Sequence, residues 1–377
     1  MKVSWDIFCS VVDNYGDIGV TWRLARQLAA EHDMAVRLWV DDLQAFVPLC
    51  PEADATARQQ WQQGVDVRQW PQEWAAVAVA DVVVEAFGCK LPEPYLRDMK
   101  ERVSPALWIN LEYLSAEDWV VGCHGLPSLR PDGLKRMFFF PGFETGTGGL
   151  LREGDLLARR LAFERDPRVR HAFLQALGVN PVPGVRLISL FAYENTALAS
   201  WLTALSRGDH PTHLLVPQGR IMADVLRWLD VQALPLTTVE QRGRLTVQAL
   251  PFVRQEDYDC LLWSCDFNAV RGEDSFVRAQ WAGRPLLWHI YEQEEDAHWV
   301  KLKAFLALYV KGLSPAAAQG FTDLWLAWNA GADMTKSWND VQEHWAELSV
   351  HAERWCLQQA NQADLAQALV LFYRNWI

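Results

Sequence analysis

Hydrophobic residues come in two rhythms along this chain. Short continuous apolar runs alternate with longer stretches in which apolar positions recur every three or four residues. The runs over residues 5–12, 35–40, 65–70, 81–87, 106–111 and 136–140 read as buried strands. Helical patterns over 20–28, 73–79 and 94–102 fall between them, and the Gln-rich stretch ahead of residue 65 reads as a polar helix tail. After a loop rich in glycine over 145–150, a helix over 163–177 closes this half. Residues 178–184, Gly-Val-Asn-Pro-Val-Pro-Gly, then punctuate the chain, because their prolines and glycines stop either neighbour from continuing. The pattern restarts with strands over 185–191, 213–216, 245–250, 266–270 and 285–290, and helices over 196–205, 221–229, 256–265 and 276–281. A largely helical tail follows, with Leu365, Leu369, Val370 and Phe372 forming one apolar face. Strand–helix alternation at this interval predicts βαβ units and mainly parallel sheets. Its occurrence on both sides of one linker predicts two α/β domains, and 377 residues suffice for two cores.

Two turns sit where ligands gather in such folds, after a strand and before a helix. The first is Asp13-Asn14-Tyr15-Gly16-Asp17-Ile18-Gly19. Its glycines permit a tight backbone, and the next helix offers free N–H groups. Asp13 and Asp17 are out of place beside a phosphate. The second turn is Arg271-Gly272-Glu273-Asp274-Ser275. A helix N-terminus favours an anion, Ser275 can cap the helix or bond phosphate oxygens, and Arg271 adds a compact positive charge. Glu273 and Asp274 taken alone would only complement the helix dipole. With Arg271 and Gly272 at a strand end, a diphosphate-sugar site is the better account. Phe191-Ala192-Tyr193-Glu194-Asn195 and Pro251-Phe252-Val253-Arg254-Gln255 also end strands. Aromatics there can sandwich a nucleobase and Gln255 can read its amide edge, although Phe191 and Phe252 alone would pass as plain core. Asn14 and Tyr15 join the donor-contact candidates Phe191, Tyr193, Phe252, Gln255, Arg271, Gly272, Asp274 and Ser275.

Other signals are weaker. His289 and His298 read as structural histidines, and Glu292, Glu294, Glu295 and Asp296 as a solvated acidic loop. The G-x-G-x-x-G dinucleotide fingerprint, the P-loop and a D-x-D pair are all absent, so nicotinamide chemistry has no support. Asp41-Asp42 and the Asp13/Asp17 pair could hold Mg²⁺ in principle, but the second turn already neutralises phosphate, and no metal is expected.

Composition narrows the partners. A net charge of −12 argues against nucleic acid, whose phosphates need concentrated Lys and Arg, and suits a cationic partner. Seven scattered cysteines without a C-x-x-C pair suggest reduced thiols in a cytoplasm rather than a disulfide framework or a zinc site. The N-terminus carries no basic region with a cleavage site, and no apolar run reaches the ~18 residues that span a bilayer. A soluble cytoplasmic protein without a membrane partner is expected. The 20 tryptophans fall mostly at helix or strand spacing, as at Trp74, Trp108, Trp228 and Trp263, so core packing is the default for each.

The first turn extended through Val20-Thr21-Trp22-Arg23-Leu24, together with Leu111-Glu112-Tyr113-Leu114-Ser115, Gly148-Gly149-Leu150-Leu151-Arg152-Glu153 and Arg271 to Ser275, resembles the bacterial elongation factor P arginine rhamnosyltransferases. The resemblance runs over essentially the whole chain. It implies a GT-B fold: two Rossmann-like α/β domains facing a cleft, with the C-terminal helix crossing back to the first domain. On that plan residues 1–178, with a helix at about 358–377, form the acceptor domain, and 185–357 form the donor domain. The resemblance implies dTDP-β-L-rhamnose as donor, an arginine side chain of elongation factor P as acceptor, inversion at the anomeric carbon and no metal. It gives Asp17 the role of general base, Asp13 that of its support, and makes Glu273 necessary for activity. It places the nucleotide against Tyr193, Phe252, Gln255 and Arg271 to Ser275. The chemistry is consistent: a guanidinium with a pKa above ~12 needs carboxylates that grip it and take a proton, and a departing diphosphate needs positive charge. Two other readings stay open: a sugar-nucleotide 2-epimerase built on the same plan, and a non-catalytic nucleotide-sugar-binding adaptor of the translation machinery.

Overall fold

The structure, a computed structural model, describes residues 2–11, 15–70, 74, 76–130, 133–236, 238–292 and 294–376. Its contacts divide into two compact units, Met1–Gly154 with Gln359–Ile377, and Asp155–Gln358.

The first unit runs β1 (Ser4–Cys9), α1 (Gly16–Glu31), β2 (Ala35–Val40), α2 (Leu43–Phe46), β3 (Gln59–Gln62), β4 (Val65–Gln69), β5 (Val82–Ala86) and α3 (Glu93–Glu101). It continues through β6 (Leu107–Leu111), α4 (Trp119–Cys123), β7 (Pro127–Leu129) and β8 (Lys135–Phe139). The sheet order is β3-β4-β2-β1-β5-β6-β8-β7, parallel except for the two edge strands β3 and β7. Counting only parallel strands along the chain, the order is 3-2-1-4-5-6, the doubly wound Rossmann arrangement. Central strands such as β5 and β6 are buried at every position because both faces are covered, and most of their residues are apolar. The one carboxylate inside β1, Asp6, is fully buried and satisfied: Arg37 donates to it twice at 2.5 Å, and the Tyr95 hydroxyl donates as well. It belongs to the core, not to a site.

The second unit opens with α5 (Leu156–Arg165) and α6 (Pro167–Ala176), then β9 (Arg186–Leu190), α7 (Leu198–Arg207), β10 (Thr212–Pro217), α8 (Met222–Leu229), β11 (Val239–Arg242) and β12 (Leu245–Leu250). Next come α9 (Gln255–Ser264), β13 (Phe267–Arg271), α10 (Asp274–Trp281), β14 (Leu286–His289), α11 (Ala297–Tyr309), α12 (Pro315–Asn329), α13 (Thr335–Glu343) and α14 (Trp345–Ala360). The sheet order is β11-β12-β10-β9-β13-β14, again parallel apart from the edge strand β11. The parallel strands read 3-2-1-4-5, so both units reverse strand order beside their first strand. Tryptophan fills this core: Trp201 meets Trp328, Trp338 and Phe267 edge to face at 5.4–6.1 Å. Truncating such a residue costs about 3–5 kcal/mol.

The last helix, α15 (Leu365–Trp376), is part of the first unit, where Tyr373 meets Trp5 and Phe372 meets Phe139 edge to face. The stretch Gly148 to Glu153 holds its approach. Leu365 N donates to Leu150 O, Arg152 Nη1 to Ala360 O at 2.7 Å, and Gln27 Nε2 to both Arg152 O and Asp364. Gly149 has φ +68°, and a Cβ there would lie 2.1 Å from Ala363 O, so only glycine fits.

Four expectations change. Residues 76–80 carry no regular secondary structure rather than a helix: Trp74, Val77 and Val79 pack on the cluster around Phe8, Trp39 and Tyr95. The Gln-rich stretch is β3, turned onto β4 through Gln63 and Gly64, both at positive φ. The helix over 163–177 is two helices, broken where Asp166 caps α6 and Pro167 fills its first position. The units also divide at Gly154/Asp155, earlier than residues 178–184, because α5 and α6 pack on α9: Phe163 meets Trp263, and Arg170 donates to Ser264 O at 2.6 Å. None of the helices among the described residues is long and apolar enough to cross a membrane.

Candidate active site

In the first unit, the reversal of strand order puts the carboxyl ends of β1 and β5 side by side. Helix α1 begins at Gly16, earlier than the periodicity suggests, so Asp17 sits inside its first turn rather than in a loop. Asp17 is only 3% exposed, and its carbonyl accepts from Thr21 Oγ1 at 2.9 Å. A carboxylate in a helix's first turn faces the positive end of the dipole. Asp41, at the end of β2, accepts from Ser10 Oγ at 2.5 Å and from Val11 N at 2.9 Å, and so pins the start of the loop between β1 and α1. Asp42 instead caps α2 through the amides of Gln44 and Ala45. Burial, together with the nearby charges of Asp17 and Asp41, pushes the Cys9 thiol well up. The edge is therefore acidic. Asp13 and Asn14 lie outside the described residues, and Tyr15 occupies the N-cap position of α1 without a side-chain capping bond.

The neighbouring strand ends complete this edge. Phe87, after β5, is a bulky residue at φ +55°, followed by Gly88 at φ +71°. The Phe87 ring stacks on Tyr113 at 4.8 Å. Glu112 follows β6 and accepts from the buried Asn110. The ion pair between Arg23 and Glu153 at 3.3 Å, by contrast, ties α1 to the stretch that holds the last helix. Of the stretches behind the family resemblance, Gly148 to Glu153 is thus a structural clamp.

The second unit's switch point is built from the opposite chemistry. Phe191 and Tyr193 follow β9, and Arg271 ends β13, the neighbouring strand. The Arg271 guanidinium lies 4.8 Å from the Phe191 ring and 4.6 Å from the Tyr193 ring, a cation held by two π-faces. It is buried, and its Nη1 has no hydrogen-bond partner. A buried guanidinium nitrogen without an acceptor is costly unless an anion arrives to take it. Arg220, which follows β10, reaches over Tyr193 at 5.5 Å and pairs with Glu194 at 2.8 Å, holding that carboxyl below its usual range.

The loop from β13 into α10 is fixed from beneath. Gly272 turns at φ +60°, and its carbonyl accepts from Trp288 Nε1 at 2.7 Å, while Trp288 stacks on Phe276 at 4.0 Å. Glu273 occupies the cap position of α10, but its side chain does not bond to the helix's first amides, so it is not spent on capping. Asp274 and Ser275 form the first turn. Gln255 is buried at the start of α9 and donates to Asp274 at 3.3 Å. Phe252 is half-buried after β12. His289, read from sequence as structural, lines this site: it ends β14, meets Tyr193 edge-on at 5.2 Å, and burial with the Arg271 charge lowers its pKa to about 4. Arg220 carried no local motif, Asp41 stood out only as half of a possible Mg²⁺ pair and His289 only as a structural histidine, since the partners of each come from segments distant in sequence.

Two doubly wound sheets with the last helix returned to the first define a GT-B glycosyltransferase fold. A UDP-glucosyltransferase from Polygonum tinctorium shares it, at a TM-score of 0.54 over 100% of this chain and 99% of that one, with 11% identity. The family described as Elongation-Factor P (EF-P) rhamnosyltransferase EarP matches residues 5–374, and the chain belongs to it. The protein-arginine rhamnosyltransferase of Pseudomonas putida is 65% identical over 375 residues, covering 100% of both chains. A solved structure concerned with EarP-mediated arginine glycosylation of translation elongation factor EF-P matches at 49% identity and a TM-score of 0.73, covering 100% of both chains.

Proposed function

We propose that this chain transfers L-rhamnose from dTDP-β-L-rhamnose to an arginine side chain of elongation factor P, inverting the anomeric centre and using no metal. The observation that carries the donor half is the Arg271 guanidinium, held between Phe191 and Tyr193 with Nη1 lacking an acceptor. Membership of the rhamnosyltransferase family supports the sugar and the protein acceptor.

In this reading the second unit holds the donor. Arg271, Ser275 and the amides opening α10 carry the diphosphate, and the aromatic side chains of Phe191, Tyr193 and Phe252 line the nucleotide. The first unit holds the acceptor. Asp17, supported by Asp13, grips the guanidinium and takes its proton as a guanidine nitrogen bonds to the anomeric carbon. The bond from that carbon to the diphosphate oxygen breaks on the opposite face, which inverts the centre. Negative charge grows on the leaving diphosphate as Arg271 and the helix terminus face it. Glu273, at the cap position of α10 beside Arg271, acts at the sugar.

Intact-mass measurement of elongation factor P incubated with the chain and dTDP-rhamnose tests this. A gain of one deoxyhexose on an arginine, unchanged by EDTA, is expected. An unchanged mass sinks the transferase reading. Conversion of the donor without acceptor present favours the 2-epimerase, and a rate lost to EDTA and restored by Mg²⁺ reassigns Asp17 to a metal.

A further inference from the structure

Among the described residues, Nη1 of Arg271 and Nδ1 of His289 are buried at the donor site without hydrogen-bond partners. They are complementary. The guanidinium nitrogen only donates, and Nδ1 of a neutral imidazole protonated on Nε2 accepts. The parallel register of β13 and β14 pairs Arg271 with His289, so the two side chains leave the sheet as neighbours. Both rest on Tyr193, the guanidinium over its ring at 4.6 Å and the imidazole edge-on at 5.2 Å. Trp328 packs edge-on against the imidazole at 5.4 Å and restricts its rotation. His289 is 7% exposed, and its backbone carbonyl accepts from Gly272 N, tying it to the loop that starts at Arg271.

We propose that His289 is a positioning residue of the donor site: its imidazole accepts a hydrogen bond at Nδ1 from Nη1 of Arg271 when a diphosphate engages that guanidinium, fixing the planar fork for two-point contact with phosphate. This rests on the donor reading above. A planar guanidinium bonds phosphate well only in a set orientation, and the two aromatic faces restrain its tilt but not its rotation in plane. An acceptor at one edge supplies the missing restraint. The imidazole suits the task because burial and then the guanidinium charge keep it neutral, with Glu194 and Arg220 also charged nearby. A carboxylate in its place would neutralise the charge meant for phosphate.

Calorimetric titration with dTDP tests this on the full chain. His289→Gln and His289→Phe are expected to weaken dTDP about 10-fold. His289→Asn, whose Oδ1 falls near the position of Nδ1, is expected to restore binding to within about 3-fold. In an Arg271→Ala background, His289→Gln should weaken binding no further, because the residue acts only through Arg271. A mere packing role predicts that Asn is as poor as Gln and that the loss persists without Arg271. Either result overturns the proposal, as does a His289→Gln variant that binds like wild type. If His289→Phe does not fold, the Asn and Gln pair decides. Failure of the wild type to bind dTDP removes the donor reading itself, whereas normal wild-type binding with indifferent variants removes only the role of His289.

Discussion

The two units share a topology and differ in what they place at its switch point. Each has a parallel sheet whose order reverses beside its first strand, with an antiparallel hairpin strand on the outer edge. In the first unit that position carries the buried Asp17, with Asp41 pinning the loop. In the second it carries Arg271 between Phe191 and Tyr193, with His289 alongside. One scaffold thus offers an acidic site suited to a cation and a basic, aromatic site suited to a nucleotide. Fold fixes where ligands bind, and side chains decide which.

The largest effect expected from breaking this division is at Asp17. Asp17→Asn keeps the shape but cannot take a proton, and should lower rhamnosyl transfer by about 10³-fold in a discontinuous mass assay. A loss under about 10-fold would move the base elsewhere. Asp41→Ala, which releases Ser10 and Val11, should lower kcat/KM for the protein acceptor by about 10-fold through a less ordered loop. An effect on dTDP affinity instead would blur the separation of the two sites.

Much of this division was legible in the chain. Apolar runs announced every central parallel strand, and the turns at Asp13–Gly19 and Arg271–Ser275 follow first and fourth strands, where the reversal occurs. The edge strands β3 and β11 were missed because they are polar hairpin arms whose partners, rather than their composition, make them strands. His289 looked like an ordinary core histidine because Arg271 and Tyr193 reach it from other strands. Gly148 to Glu153 carried the family resemblance with no role attached, and it anchors the approach to α15 through contacts to backbone carbonyls that are far away in sequence.

A smaller, global effect should follow pH. Burial lowers the pKa of His124, His213 and His351, and burial with Arg271 lowers that of His289 to about 4. Unfolded histidines protonate near 6.5, about where folded ones still refuse the proton, so the unfolded chain binds more protons as pH falls below that value. Stability present above about pH 6.5 is therefore lost on the way down to the folded pKa values. The thermal midpoint should be lower at about pH 5.5 than at about pH 7.5. An equal or higher midpoint would mean that these histidines protonate in place.

The separation of acceptor and donor chemistry between the two switch points is tested most directly by titrating dTDP into Asp17→Asn and Arg271→Ala side by side. Asp17→Asn is expected to bind within about 2-fold of wild type, while Arg271→Ala loses about 100-fold, the equivalent of about 2.7 kcal/mol. Equal losses in both variants, or a loss in Asp17→Asn alone, would contradict that separation.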